Sequence, residues 1–262
     1  MESKFPIRLI KQIIKTEPIC YSGIRKILQD VTYQTTKIPT LTYEDLNYTQ
    51  AKHKQLLRNY VNPEEFDRVK ELLKKRKKQH FTSVGVSLRN ETKKNKSMGW
   101  CMLSMVITRM TRPALETVEI QYRSTEVIRK FGGDLAFLPW LLKEFDLNPD
   151  ILRFRFANLY LSGVFFPTVC LFWEPVEFLE YLYKHDRRMF DGSTRFFLRS
   201  ARTPDQHFPY SPENQQHKLA WKFLDMEKIH DYLHEKHREM GKPLPQIHTK
   251  DNYIPRSQRS KK

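Results

Sequence analysis

The side chains of this sequence that suggest chemistry are first of all its cations. Lys and Arg number 46 against 30 Asp and Glu, a formal charge of +16. A surplus of that size suits phosphate polymers or anionic surfaces and says nothing about fold. The basic residues gather in three clusters: Lys70 with Lys74, Lys75, Arg76, Lys77 and Lys78; Arg89 with Lys93, Lys94 and Lys96; and Arg109, Arg112, Arg129 and Lys130. Any one of them alone reads as a solvated face. Cysteine chemistry rests on Cys20, Cys101 and Cys170, too few and too scattered for a disulfide framework or a zinc cluster, so a reducing compartment is expected. His230, His234 and His237 fall at i, i+4 and i+7 of one helix, a spacing that shares a face. They lack a Cys or carboxylate at metal-ligand spacing, so an exposed helical face is the favoured reading and no metal is expected.

The elements that must position these groups are legible in part. Pro6–Lys15 reads as an apolar-basic helix, and Thr32–Asn47 as a polar, turn-rich stretch. Asn62-Pro63 opens a helix from Glu64 to about Lys78, with Phe66, Val69, Leu72 and Leu73 on one face. Thr82–Leu88 and Cys101–Thr108 read as strands around a basic loop at Asn90–Ser97. Thr117–Tyr122 alternates as a strand with one wet face. Gly132-Gly133 precedes a short helix, Leu135–Phe145, interrupted by Pro139. Leu152–Leu161 is a further strand, and Glu174–His185 and Leu219–Arg238 are amphipathic helices. The uncharged run Phe156–Trp173 contains Asn158, Gly163 and Pro167 and reads as a buried strand leading into a helix start, not a membrane span. The N-terminus interleaves Glu2, Lys4, Arg8 and Lys11 with its apolar residues, so no signal peptide is expected and a cytoplasmic protein is (host cytoplasm if viral). The fold class expected is α+β, a mixed sheet flanked by helices. Residues 1–60 form an N-terminal region, 61–240 the core, and 241–262 a basic tail expected to be disordered.

Residues from about Phe66 to Pro167 carry a resemblance. The helix Phe66-Asp67-Arg68-Val69-Lys70-Glu71-Leu72-Leu73 and strand Ser83–Leu88, Cys101 at a strand start, then Arg123-Ser124-Thr125-Glu126 follow in order. Asp134, Leu147-Asn148-Pro149-Asp150 and Phe156-Ala157-Asn158-Leu159-Tyr160-Leu161 continue it. This order resembles the thymidylate synthase and deoxycytidylate hydroxymethylase superfamily, in a divergent form of the kind a phage would encode. The resemblance implies a thymidylate synthase-like mixed sheet flanked by helices and a homodimer joined back to back.

It also implies a chemistry. Carbon 5 of a pyrimidine is a poor nucleophile until a thiolate adds to carbon 6, and cysteine is suited to that addition. The resemblance gives Cys101 that role and has Arg123 lower its pKa. Arg123 and Ser124 would hold phosphate, Arg through its fork of donors. Asp134 takes the base-reading position, where a carboxylate accepts from the amino group of cytosine and repels the carbonyl of uracil. Asp134 reads equally well as a turn residue and helix N-cap. Tyr160 and Asn158 would contact the sugar, with Asn158 standing where the family has His. Glu126 stands where the family has a folate-contacting Asp, which implies 5,10-methylenetetrahydrofolate as the one-carbon donor.

The sequence departs from the family at several points. Phe81 and Thr82 occupy the places of two arginines that the partner subunit brings to the phosphate, so a free monophosphate is expected to bind poorly. The N-terminal region is short, and Glu44 is the only acidic residue suggested for proton transfer. The three basic clusters are expected to border the pocket and track a nucleic-acid backbone instead. Two readings therefore stand. One is a pyrimidine C5 hydroxymethyltransferase or methyltransferase acting on a nucleotide or on nucleic acid. The other is a degraded active site on a fold that binds DNA or RNA through Lys74, Lys75, Arg76, Lys77, Lys78, Arg89, Lys93, Lys94 and Lys96.

Overall fold

The computed structural model describes residues 6–23, 25–46, 48, 50–77, 79–88, 101–163, 166–202 and 224–244. The loop expected at 90–97, with Arg89, Lys93, Lys94 and Lys96, lies outside these residues, as do Lys78 and the tail from 245.

A six-stranded mixed sheet organises the chain, as the α+β expectation required. Its strands are β1 (Cys20–Ser22), β2 (Arg25–Thr35), β3 (Phe81–Ser87), β4 (Met102–Thr111), β5 (Ala114–Glu126) and β6 (Ile151–Ser162), in the order β1-β2-β6-β5-β4-β3. All neighbours are antiparallel except β5 and β6. A parallel pair needs a crossover, and helix α4 (Arg129–Glu144) supplies it. α4 covers the apolar face of the central strands. Phe131, fully buried, stands edge-on to Tyr122, Phe154 and Phe156 at 5.7, 5.3 and 5.1 Å between ring centres. Burying such a side chain is worth about 1.5–3 kcal/mol, and its aromatic pairs add to that.

The apolar face of the central strands is thus covered within the chain and is not free for the back-to-back dimer that the resemblance implies. The opposite face of the central strands is open and polar. Thr32, Gln34, Gln121 and Arg155 are exposed there, and Arg153 and Arg155 pair with Glu119 at 3.3 and 2.9 Å. Further along β6 the burial changes sides. Leu152, Phe154 and Phe156 face α4, whereas Leu159 and Leu161 are buried on the other face, with Lys26 and Leu28 of β2 opposite them. Helices α1 (Ile7–Lys15) and α6 (Pro175–His185) pack at that end. Lys26 is buried and ionically paired: its Nζ donates to Asp186 Oδ2 at 2.7 Å and to the Ile14 carbonyl at 2.6 Å. Asp186 also accepts from Tyr21 and from the Met189 amide, which fastens the start of α7 (Arg187–Arg202) to β2 and α1.

Two helices bring the N-terminal half to the site end. α2 (Gln50–Tyr60) packs on α4, and α3 (Pro63–Lys75) precedes β3 with Phe66, Val69 and Leu73 buried. Phe66 meets Phe145 at 4.7 Å, and Lys70 pairs with Glu144. The short α5 (Phe166–Val169) and α8 (Met226–Glu239) complete the described elements. Among the described residues no helix is long and apolar enough to cross a membrane.

Several expectations are corrected. β2 runs through the first part of the stretch read as turns, and α2 and α7 were not anticipated. α4 starts at Arg129, so Gly132 and Gly133 lie inside it and Pro139 does not divide it. A Cβ on Gly133 would sit 3.2 Å from Lys52 Cε and 3.5 Å from Tyr48, so α2 and its lead-in approach α4 at a residue without a side chain. The three histidines do not share an exposed face. Ile229, Leu233 and His237 form the buried stripe of α8, with His237 against Phe190, while His230 and His234 remain outside.

Candidate active site

Cys101 sits immediately before β4, where the Arg123 amide donates to its carbonyl at 2.9 Å. The next pair, Met102 with Tyr122, begins the β4–β5 ladder. The adjoining parallel ladder sets Ser124 beside Asn158 and Glu126 beside Tyr160, and β2 sets Gln29 beside Asn158. Cys101, Arg123, Ser124 and Asn158 thus stand side by side at one end of the sheet. α4 starts three residues after Glu126, which carries Lys130 and, one turn on, Asp134 back over that end. From α2, the Tyr60 hydroxyl accepts from the Met102 amide at 3.4 Å.

The electrostatics join these groups. Burial pushes the Cys101 thiol above its ordinary range, and the charge of Asp134 pushes the same way. Lys130 and then Arg123 oppose that rise, and the nearby Thr125 hydroxyl weakly favours the thiolate. Arg123 therefore acts in the expected direction, but desolvation prevails. Asp134 is only 3% exposed, and burial raises its carboxyl to about 7 against the pull of Lys52 and Lys130. Its Oδ2 is buried without a hydrogen-bond partner. Burial and then Asp134 raise Tyr43, Tyr60 and Tyr122, and Tyr60 and Tyr122 also feel Cys101. Asp134 is the sixth residue of α4, so it is not the N-cap that its Gly-Gly setting suggested; that place belongs to Ile128.

The structure thus brings Cys101, Arg123 and Asp134 together, with Ser124 and Asn158 on neighbouring strands. Tyr160 is half-buried farther along β6, with the Arg25 guanidinium 4.9 Å from its ring centre. Glu126 is buried and turned to backbone: its carboxylate accepts from the Ile128 amide at 2.9 Å and the Ser162 amide at 3.3 Å. It holds the β5–α4 turn to the end of β6. A buried carboxylate engaged in this way does not fit a folate contact. Glu44 is exposed in the turn before α2. Among the described residues no group of three His, Cys, Asp or Glu could hold a metal ion.

Of the first basic cluster, the described members Lys74, Lys75, Arg76 and Lys77 lie away from the site. β3 and β4 pair with Phe81 opposite Met110 and Thr82 opposite Arg109, at the end away from Cys101. The Thr82 hydroxyl donates to the Arg76 carbonyl, which puts Lys74, Lys75, Arg76 and Lys77 at that far end. Eight residues of strand from Cys101 to Arg109 span about 25 Å. These four side chains are exposed, with no ion pair among the described residues, and their place at the C-terminus of α3 is favourable to the helix dipole. Arg109 is paired with Glu116. Among the described residues of these clusters, Lys130 is the one that acts on Cys101.

Sequence reasoning did not single out Lys52, Tyr43, Tyr60, Tyr122 or Thr125. Tyr122 precedes Arg123 on the inward alternation of β5 and was within reach of that signal. Lys52 and Tyr60 sit on a helix that buries only Leu56 and Tyr60 and shows no apolar stripe.

No protein-family model matches the chain, and no curated protein matches it. Among solved structures it is similar to the thymidylate synthase of T4 phage, at 13% identity and a TM-score of 0.38 over 59% of this chain and 75% of that one. This is a distant structural relationship.

Proposed function

We propose that this protein is a pyrimidine C5 methyltransferase or hydroxymethyltransferase that favours a cytosine nucleotide and uses Cys101 as nucleophile. The observation that carries the reading is the convergence of a half-buried thiol with a buried carboxyl whose Oδ2 lacks a partner. An orphaned acceptor in such a place costs about 1–3 kcal/mol until a donor fills it. The 4-amino group of cytosine is such a donor. With a pKa of about 7, Asp134 can also take the proton that Cys101 must lose.

The step these residues support is then balanced. The thiol proton passes to the Asp134 carboxylate, the thiolate forms a bond to carbon 6, and the electron pair of the 5,6 double bond moves toward carbon 5 and the ring. Protonated Asp134 returns its proton to a ring nitrogen, leaving carbon 5 nucleophilic. Methylenetetrahydrofolate would supply the one-carbon unit in this reading. A homodimer is part of the proposal, joined through the open polar face, where Glu119, Arg153 and Arg155 offer charges of both signs to a second copy.

Addition at carbon 6 makes carbon 5 exchange its hydrogen with solvent without any donor present. In heavy water, deoxycytidylate should gain deuterium at carbon 5 in the presence of the protein, and Cys101→Ala should abolish the gain. Absence of exchange in the wild-type protein with both mononucleotide and oligonucleotide would refute the reading. The competing nucleic-acid-binding reading keeps in its favour the exposed Lys74–Lys77 group, which forms no ion pair among the described residues.

A further inference from the structure

The buried stripe of α1 is Leu9, Ile10, Ile13 and Ile14, so Lys11 and Lys15 share its exposed face, one turn apart. Both reach aromatic rings. The Lys11 ammonium lies 5.0 Å from the ring centre of Trp173 and 5.5 Å from that of Tyr181, and the Lys15 ammonium 5.7 Å from Tyr181. The junction of α6 and α7 continues the pattern. Lys184, His185, Arg187 and Arg188 are exposed there, His185 meets Tyr181 at 4.4 Å, and the Arg188 guanidinium lies 4.4 Å from the ring centre of Tyr21 on β1. Lys11, Lys15, Lys184 and Arg188 form no ion pair among the described residues. Carboxylates of the surrounding elements are engaged or act elsewhere. Asp186 is buried with Lys26, Glu174 pairs with Lys228, Glu180 acts on Tyr232 of α8, and Glu239, which faces Arg187, pairs with Lys236. Glu17 and Glu177 are exposed without an ion pair. An aromatic ring holds an exposed cation by about 0.5–1 kcal/mol and leaves its charge in place, whereas a carboxylate would cancel it. His185 registers the outcome: its pKa is lowered by desolvation and then by the charges of Lys15 and Lys184.

We propose that this face, with Lys11 and Lys15 of α1, Lys184 at the end of α6 and Arg188 of α7 set around Tyr181 and Tyr21, binds single-stranded nucleic acid. The cations follow the phosphates, and the half-buried tyrosine rings take bases by stacking without reading their sequence. Part of the platform is fixed before a ligand arrives. The Tyr21 hydroxyl donates to Asp186 Oδ2 at 2.9 Å, and that carboxylate is held by the buried Lys26 ammonium. Charge complementarity selects a polyanion, and the shortage of exposed apolar side chains disfavours a bilayer. Among the described residues, the large apolar side chains left exposed are Ile19, next to β1, and Phe81 on β3. The face is separate from the Lys74–Lys77 group, which adjoins β3: β1 and β3 are the two outer strands, about five strand spacings or roughly 24 Å apart. It does not depend on the chemistry proposed for Cys101.

The test is fluorescence anisotropy of labelled oligothymidylate, which offers Asp134 no amino group, titrated with the full chain as salt is varied. Four phosphate contacts imply a log-log slope of about 3, a loss of roughly 50-fold in affinity between 50 and 200 mM salt. The combined variant Lys11→Gln, Lys15→Gln, Arg188→Gln should bind at least about tenfold more weakly at the lower salt, with a slope near about 1. The charge-keeping set Lys11→Arg, Lys15→Arg, Arg188→Lys should retain the wild-type slope, and thermal unfolding of both variants separates loss of the face from loss of the fold. Unchanged affinity and slope in the Gln variant overturns the proposal, whatever the Lys74–Lys77 group contributes. Wild-type binding no better than millimolar at low salt also overturns it. Duplex DNA that competes as well as the single strand removes the stacking role and with it the single-strand assignment. Vesicles of phosphatidylserine and phosphatidylcholine that bind the wild type when the oligonucleotide does not make the face a membrane surface and refute the proposal. Cys101→Ala should bind oligothymidylate as the wild type does, so a failure of the exchange reaction at carbon 5 leaves this inference standing.

Discussion

Asp134→Asn should make the protein more stable at neutral and alkaline pH. Burial lifts the carboxyl from an ordinary 3.8 to about 7, so between those values the folded chain holds a proton that the unfolded chain has released. Stability therefore falls as pH rises through that window and levels off above about 7. A rise of about 3 units, at 1.36 kcal/mol each, sets a ceiling of about 4 kcal/mol on the loss. Asparagine keeps the shape, removes the titration and can donate as well as accept. The stability difference between Asp134→Asn and wild type should be small at pH 4 and grow to as much as about 4 kcal/mol in favour of the variant at pH 8. For a chain of this size that is a Tm gain of up to about 8–16 °C. Urea unfolding of both proteins from pH 4 to pH 8 measures the difference directly and cancels the other titrating groups. A flat difference across that range, or a variant less stable at pH 8, would refute the electrostatic account of the site.

Three further outcomes are expected. The alkylation rate of Cys101, followed by peptide mass spectrometry, should inflect at higher pH than that of free cysteine, and Asp134→Asn should move the inflection down while Lys130→Met moves it up; an ordinary inflection in the wild type would contradict the burial of the thiol. Replacing Lys74, Lys75, Arg76, Lys77 and Lys78 by Gln should leave deoxycytidylate binding unchanged, since the described members lie about 25 Å along the strands from Cys101. If the nucleic-acid reading holds, about five phosphate contacts imply a loss of ~10²-fold in oligonucleotide affinity between 50 and 200 mM salt, and the same variant should flatten that dependence; binding no better than millimolar at low salt removes that reading. Light scattering should give a dimer at micromolar concentration that weakens with Glu119→Lys; a monomer would leave the polar face of the sheet as solvated surface.

Where burial follows a single periodicity, the elements were legible. α3 shows Phe66, Val69 and Leu73 at helical spacing after Asn62-Pro63, and β5 alternates Val118, Ile120 and Tyr122. β2 was hidden because its covered face changes partway, Lys26 and Leu28 toward one layer and Val31 toward the other, and because one inward residue is a lysine. The acid that makes Lys26 tolerable lies 160 residues away, beyond any local pattern. α7 buries Ser193 and Thr194, polar residues that add nothing to a hydrophobic periodicity. At the site, Cys101, Arg123 and Asp134 were reached through a resemblance in order and spacing. Lys130 passed as one cation in a cluster because the helix was read as starting after Gly132-Gly133. With the true start at Arg129, Lys130 and Asp134 are i and i+4 and share a face. Lys74, Lys75, Arg76 and Lys77 lie apart from Cys101 for a topological reason: the length of β4 separates the end of α3 from the start of that strand.

The central claim is covalent addition of Cys101 to carbon 6 of a cytosine nucleotide. Incubation with 5-fluorodeoxycytidylate and methylenetetrahydrofolate, followed by intact-protein mass spectrometry and peptide mapping, tests it most directly. The account predicts an added mass on the peptide that contains Cys101 and none on Cys101→Ala. An adduct that persists in Cys101→Ala, or none on the wild-type protein with either the mononucleotide or an oligonucleotide carrying the same base, would contradict it.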